Sequence, residues 1–304
     1  MIASTLTCPI CKAPLKATDN RLGCEQNHSF DRAKQGYYNL LPANRMRSKQ
    51  PGDSLEMVKA RQTFLNTGIY QPISDTLNKL VHAQLNNACT ELNKKTTPDF
   101  ILDIGCGEGY YTERLSAFLK SQQRDEASQA AEIIGLDISK EAVKHAARRN
   151  KDITWIVASG AQVPVEQNSQ TLITCLFTRL MPEGFADALT NDGQLITVTT
   201  GTHHLIEMRN ELYDEVRLTT LDPAKPLGSH FEAVEMIPLT YQHQLQSSQE
   251  IKDLLAMTPH QWRAPEVNRE KLLSKQALTI TIDIQLTVFR KKTQPELMTK
   301  EQKS

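Results

Sequence analysis

The chain has 304 residues, 39% of them apolar and 23% charged, which is too long for one small domain and ordinary for a soluble globular protein. No apolar run is long enough to span a bilayer, and Met1-Ile2-Ala3-Ser4-Thr5 lacks the basic start and apolar core of a secretory signal, so a cytoplasmic protein is expected. Lys and Arg balance Asp and Glu at 35 each, and net charge therefore makes no case for a nucleic-acid partner.

Residues 1–36 are rich in turn formers: Pro9, Pro14, Asp19-Asn20 and Gly23 predict turns rather than regular elements. They also hold Cys8, Cys11 and Cys24, whereas Cys89, Cys106 and Cys175 are scattered, a lopsided pattern unlike a secreted disulfide framework. Cys8-x2-Cys11, twelve residues, then Cys24-x3-His28 gives four ligands at zinc spacing. Four protein ligands fill a tetrahedron, so the zinc is read as structural. With few apolar residues nearby, metal binding is expected to carry much of this segment's folding free energy.

Residues 37–55 read as a linker, since Asn39, Pro42, Asn44 and Pro51-Gly52 break any helix. Around it Arg32, Lys34, Arg45, Arg47, Lys49, Lys59 and Arg61 face only Asp53 and Glu56, which suits either a solvated linker or a stretch that steers a phosphate backbone. Asp53 as N-cap and Glu56 in the capping-box position predict a helix through Phe64. Ile73, Leu77, Leu80, Val81 and Leu85 recur at helical spacing and predict a second, from Pro72 to Asn86.

Beyond residue 100 strands and helices alternate. Strands are predicted at Phe100 to Ile104, Ile133 to Ile138, Ile153 to Ala158, Leu172 to Phe177 and Gln194 to Thr199, and helices at Tyr110 to Leu119, Lys140 to Asn150 and His203 to Leu218. Such β-α alternation predicts a parallel, doubly wound sheet. A strand follows near Tyr241 to Leu245, then a helix capped by Ser247-x-x-Glu250, then a strand over Leu278 to Phe289 in which Ile280, Ile282, Ile284, Leu286 and Val288 alternate. The polar tail after Arg290 is expected to be disordered.

Leu102-Asp103-Ile104-Gly105-Cys106-Gly107-Glu108-Gly109 is a glycine turn between a strand and a helix, where backbone approaches a ligand closely. Asp137 ends the next strand, where an acid takes ribose hydroxyls in dinucleotide folds. A dinucleotide loop would place its third glycine where Tyr110 stands. The glycines alone would also serve a tight turn, and Asp137 alone a helix N-cap.

Together these residues resemble the class I S-adenosylmethionine-dependent methyltransferases, with an acid before G-x-G-x-G and a second acid closing the next strand. The resemblance implies an α/β, Rossmann-like fold: a seven-stranded mixed sheet whose last strand, here 278–289, inserts antiparallel. It implies that the loop, with Asp103, Gly105 and Gly107, holds the amino-acid part of the cofactor, and that Asp137 holds its ribose.

Further motifs narrow the resemblance. Cys8, Cys11, Cys24 and His28, Gly36-Tyr37-x-Asn39-Leu40-Leu41-Pro42, Pro51-Gly52-Asp53-Ser54, Ala60-Arg61-x-x-Phe64-Leu65, the loop followed by Tyr110-Tyr111-Thr112, and Met257-Thr258-Pro259-x-x-Trp262-Arg263-Ala264 resemble the bacterial 23S rRNA guanine-N1-methyltransferases of the RlmA type over nearly the whole chain. That resemblance implies methylation of a guanine N1 in helix 35 of 23S rRNA, further cofactor contacts at Tyr70, Glu108 and His204, and pairing as a homodimer. The domains expected are zinc-binding 1–36, linker and bridging helix 37–66, methyltransferase 67–292 and tail 293–304.

One stretch departs from the family. After the fourth strand a short Tyr-Ala-Pro motif is usual, and here the run is Phe177-Thr178-Arg179-Leu180-Met181-Pro182, with no aromatic beside Pro182. Phe177 and Trp262 are candidates to stack on a base, although packing is the commoner role of such residues. No residue is identified as the acceptor of the N1 proton; a carboxylate, a histidine or water would serve. Two rival readings are a small-molecule methyltransferase with a zinc-stabilised lid and a non-catalytic RNA-binding protein on the same fold.

Overall fold

The structure, a computed structural model, describes residues 4–42, 51–87, 98–123, 130–219 and 221–292. Arg45, Arg47, Lys49, Cys89 and the tail 293–304 lie outside the described residues. No helix among the described residues is long and apolar enough to cross a membrane.

The chain opens with three short strands, β1 (Lys16–Thr18), β2 (Arg21–Gly23) and β3 (Ser29–Asp31), which form an antiparallel sheet. Of the turn formers read in the sequence, Asp19-Asn20 makes the corner between β1 and β2 and Pro9 lies in an earlier turn, whereas Gly23 ends β2 and Pro14 forms a bridge with Thr7. Then come β4 (Tyr38–Asn39), α1 (Leu55–Asn66) and α2 (Gln71–Asn87). The alternating part runs β5 (Phe100–Ile104), α3 (Tyr110–Gln122), β6 (Glu132–Asp137), α4 (Lys140–Arg149), β7 (Thr154–Val157), β8 (Gln170–Leu176), α5 (Pro182–Ala188) and β9 (Leu189–Thr200). It ends with α6 (Ile206–Leu212), α7 (Ala224–Leu227), β10 (Phe231–Leu245), α8 (Ser248–Ala256), α9 (His260–Arg263), α10 (Glu266–Leu273) and β11 (Leu278–Lys291).

The main sheet has the order β10-β11-β9-β8-β5-β6-β7-β4, eight strands where seven were expected. The alternating segment is the antiparallel insertion: Leu286 of β11 faces Val198 of β9 on one side and Ile237 of β10 on the other. The eighth strand comes from the supposed linker. Tyr38 and Asn39 pair in parallel with Ile156 and Val157 of β7, and Leu40 N donates to Val157 O at 2.9 Å. Two residues are too few to show a strand's period, so the sequence hid β4 behind Asn39 and Pro42.

Period-two alternation gives the sheet two apolar faces. Ile101, Ile133, Trp155, Val157, Ile196 and Val198 point toward a core shared with residues of α2, α3, α4, α6 and α8. Leu102, Ile104, Ile134, Leu136, Ile156 and Ile173 point the other way, to a core closed by α5 and by Leu6, Cys8, Leu15, Leu22 and Leu40 from the N-terminal segment. No helix follows β7 on this face; the cysteine-bearing segment covers the sheet instead. It is sewn on by Leu6, bridged antiparallel to Val165, by Thr7 N to Pro164 O at 2.9 Å, and by Glu166 N to Thr5 O at 2.8 Å. Its apolar residues are few, as read, but they enter the common core, so metal is not its sole support.

Three local expectations change. The N-cap of α1 is Ser54, whose hydroxyl accepts from Met57 N at 3.3 Å, because Asp53 is drawn off to pair with Arg61. The helix expected through Leu218 stops at Leu212, where Tyr213 turns extended. The strand expected near Tyr241 begins ten residues earlier, at Phe231; Pro238 is tolerated inside it because β10 is the sheet's edge.

Candidate cofactor site and metal centre

The turn from β5 into α3 is left-handed at all three glycines, with φ of 76° at Gly105, 57° at Gly107 and 86° at Gly109. Only glycine adopts such angles without cost. The three differ in surroundings. A Cβ on Gly105 would meet Thr178 at 2.5 Å, and one on Gly109 would meet Trp155 and Ala146 at 2.9 Å. At Gly107 the nearest atom would be Arg61 Nη1 at 3.8 Å, so its face is the open one.

Asp137 closes β6 beside that face. Its Oδ2 accepts from Gly107 N at 3.0 Å and its Oδ1 from Ser139 N at 2.7 Å, which orients the carboxylate before any ligand arrives. Burial raises its pKa against the pull of those two amides.

Asp103 lies beneath the loop and 3% exposed. Thr112 donates to its Oδ2 at 2.5 Å and Thr174 to its Oδ1 at 2.8 Å. Both oxygens are thus engaged within the protein, and Asp103 braces β5, α3 and β8 under the turn. Burial pushes its pKa up to about 6, although both hydroxyls lower it.

Glu108 is 1% exposed, with Arg149 Nη2 3.0 Å from its Oε2 but neither oxygen in an aligned hydrogen bond. Burial raises its pKa, while Arg149 and Arg61 oppose the rise. The hydroxyl of Tyr111 is also buried without a partner. Orphaned buried acceptors and donors of this kind are costly unless a ligand completes them.

Tyr70 and His204 come together from opposite ends of the chain, Tyr70 Oη lying 3.4 Å from His204 Nε2. Asp283 N donates to His204 Nδ1 at 3.4 Å, which places the ring proton on Nε2. Burial lowers the His204 pKa to about 4, so the ring is neutral at physiological pH. Nothing in spacing or composition marked this pair; the family resemblance alone did.

α1 lies over the opening. It packs on α4 and α8, its start is held by Ser139 Oγ donating to Asp53 O at 2.9 Å, and Arg61 reaches from it toward Gly107. The far wall carries Phe177, 42% exposed, with the left-handed φ of 53° that a bulky residue rarely takes. Its ring centroid is 6.2 Å from that of Tyr111. The wall therefore has an aromatic after all, five residues before Pro182 rather than beside it. Trp262 on α9 is 65% exposed, so neither candidate stacking residue is spent on core packing.

The cysteine cluster is assembled by two matched turns. Cys8 O accepts from Lys12 N at 2.9 Å and Cys24 O from Asn27 N at 3.0 Å, with Lys12 and Asn27 both left-handed. Cys8, Cys11, Cys24 and His28 bring their ligand atoms within 4.8 Å of one another. Cys24 Sγ lies 3.5 Å and Cys8 Sγ 3.6 Å from His28 Nδ1, and Cys11 Sγ 3.6 Å from Cys24 Sγ. Tetrahedral zinc with bonds of about 2.0–2.3 Å has ligand edges of roughly 3.5–3.8 Å. The donor set fits the metal, and the module carries structural zinc.

Residues 6–49 match the family described as RlmA, N-terminal, a zinc ribbon, and residues 101–191 match the methyltransferase domain family. A protein of Micromonospora griseorubida, named as a 23S rRNA (guanine-N(1)-)-methyltransferase, is 31% identical over 94% of this chain and 97% of its own. The chain belongs to the 23S rRNA (guanine-N1-)-methyltransferase family. A second relative, the 23S rRNA (guanine(748)-N(1))-methyltransferase of Streptomyces fradiae, is 30% identical over 94% of this chain and 96% of its own. The PH0226 protein of Pyrococcus horikoshii OT3 aligns over 73% of this chain and 91% of its own, at 13% identity and a TM-score of 0.44. As a member of this methyltransferase family, the protein is an S-adenosylmethionine-dependent enzyme with a structural zinc module. The open face of Gly107, the oriented Asp137 and the unpartnered Tyr111 hydroxyl fit that cofactor.

Proposed function

We propose that the protein methylates N1 of a guanine in helix 35 of 23S rRNA. The observation that carries this reading is kinship along 94% of the chain with relatives named for that base and atom. S-adenosylmethionine, when bound, supplies a methyl group already activated on a sulfonium. The protein's part is to hold methyl and base in line. In this reading Asp137 takes the ribose hydroxyls, the Gly105 to Gly107 backbone takes the amino-acid part, and Tyr70, Glu108 and His204 complete the cofactor wall, with Asp103 holding the turn in shape. Nδ1 of His204 already accepts a bond and Nε2 already holds a proton, so His204 has no lone pair for the guanine N1 proton. A carboxylate or water takes that proton.

We assign RNA binding to the zinc module of residues 1–36 together with Arg45, Arg47 and Lys49 in the segment that leads to α1, with 67–292 supplying cofactor and chemistry in the cytoplasm. The enzyme works as a homodimer in this proposal; the outer edge of β10 pairs with no described strand and exposes Val234 and Met236. Sedimentation velocity tests the dimer.

Labelled-methyl transfer to 23S rRNA lacking its own modification, followed by mapping of the stop that N1 methylation imposes on reverse transcription, tests the function. A stop in helix 35 is expected; label on another RNA or on none overturns it. Replacing Arg45, Arg47 and Lys49 by Ala should weaken RNA binding and flatten its salt dependence by about 2–3 in log–log slope, without changing cofactor affinity. Deleting residues 1–36 is a poorer test, because Leu6, Leu15 and Leu22 belong to the main core.

A further inference from the structure

S-adenosylmethionine brings two positive groups and one negative group, its α-carboxylate. The wall around Gly107 holds three carboxylates, Asp53, Glu108 and Asp137, and two guanidinium groups, Arg61 and Arg149. A cofactor carboxylate placed against Glu108 or Asp137 would be repelled, so it needs one of the two cations.

Arg149 is the more engaged of the two, although its buried Nε has no partner. Its Nη2 lies 3.0 Å from Glu108 and donates to Asn66 Oδ1 at 3.2 Å, and its guanidinium carbon stands 5.8 Å from the centroid of the Tyr110 ring. Arg61 is placed differently. Among the described residues only Asp53 is hydrogen-bonded to it, through Nη1 alone; its charge also acts on Glu108 and Asp137, and its side chain is 25% exposed. The same Nη1 is the atom nearest the open face of Gly107, at 3.8 Å. Asp53 is fixed in turn by Ser139, so the guanidinium stands over the glycine turn with further N–H donors to spare.

We propose that Arg61 is a cofactor-binding residue that receives the α-carboxylate of S-adenosylmethionine. Asp53 holds the fork in place, and binding ties α1 to the cofactor. The proposal needs only the cofactor and is independent of which RNA base is methylated.

Calorimetry with S-adenosylmethionine and decarboxylated S-adenosylmethionine, which lacks only this carboxylate, tests it. Arg61→Ala should weaken S-adenosylmethionine by about tenfold or more, the loss of a charge-assisted pair, and leave decarboxylated S-adenosylmethionine unchanged. Arg61→Lys should recover part of the affinity, since it keeps the charge and loses the fork. Equal weakening of both compounds, or no weakening of the first, overturns the assignment. Should Arg61→Ala fail to fold, as judged by circular dichroism, Arg61→Lys decides: it must weaken S-adenosylmethionine more than the decarboxylated compound.

Discussion

Thr112 Oγ1 donates to Asp103 Oδ2 at 2.5 Å, and that one bond ties the helix after the glycine turn to the strand before it. The carboxyl is buried with a pKa of about 6, above its ordinary value of 3.8. A carboxyl raised in the fold binds more protons folded than unfolded, so its contribution to stability falls as pH rises from about 4 to about 6. Urea unfolding of the wild type and Asp103→Asn across this range should therefore show the wild type gaining on the variant as pH falls. Asp103→Ala strands two buried hydroxyls and should cost about 1–3 kcal/mol.

Gly107 and Gly109 share a backbone sign but not a neighbourhood. Gly109→Ala drives a methyl into Trp155 and Ala146, and should lower stability by more than about 2 kcal/mol in thermal or urea unfolding. Gly107→Ala meets open space and should cost about 1 kcal/mol, while reducing S-adenosylmethionine affinity in calorimetry far more than Gly109's neighbours would suggest.

His204 runs opposite to Asp103 in pH. Its folded pKa of about 4 lies below the ordinary 6.5, so the stability it contributes is complete above about 6.5 and is lost as pH falls toward 4. The stability difference between wild type and His204→Asn should shrink over that interval. Tyr70→Phe removes the hydroxyl beside the ring and should weaken cofactor binding by about three- to tenfold with an unchanged pH profile of stability.

Replacing Cys11 or Cys24 by Ser should abolish zinc retention, measured by metal analysis of the purified protein. Amide exchange should then accelerate in β1 to β3 while β5, β6 and β8 stay protected, because Leu6 and Leu15, outside those three strands, keep their places in the sheet's core. Loss of protection throughout the sheet would contradict that division of labour.

Phe177 holds a left-handed backbone that glycine would hold freely. Phe177→Gly should raise stability by about 1 kcal/mol, whereas Phe177→Ala should not. Both should reduce kcat/KM on rRNA by about tenfold, with cofactor affinity retained, where the ring stacks on the target base.

The parts legible in the sequence were those with local signals. The strand from Phe100 to Ile104 is mostly apolar and lies between Pro98-Asp99 and Gly105, and it folds as read; the ligand spacing of Cys8, Cys11, Cys24 and His28 likewise survives folding. The parts that were hidden depend on partners far along the chain. β4 becomes a strand only because β7 offers it an edge, and Asp53 loses its cap only because Arg61 claims it. Asp103 looks like a ligand in one dimension, and two threonines, one of them 71 positions away, make it a brace. Phe177 carries no sequence sign of its backbone angle at all.

The parallel pairing of Tyr38 and Asn39 with β7 bears on how the protein is made. A chain emerging from the ribosome N-terminus first exposes Leu6, Leu15 and Leu22 long before the strands that bury them exist. The zinc ion then has a temporal role: it can fix the two cysteine turns on the nascent chain and hold that apolar patch in one shape until Ile134, Leu136 and Ile156 arrive to receive it. Synthesis under zinc depletion should thus yield less folded protein than stripping zinc from the finished enzyme.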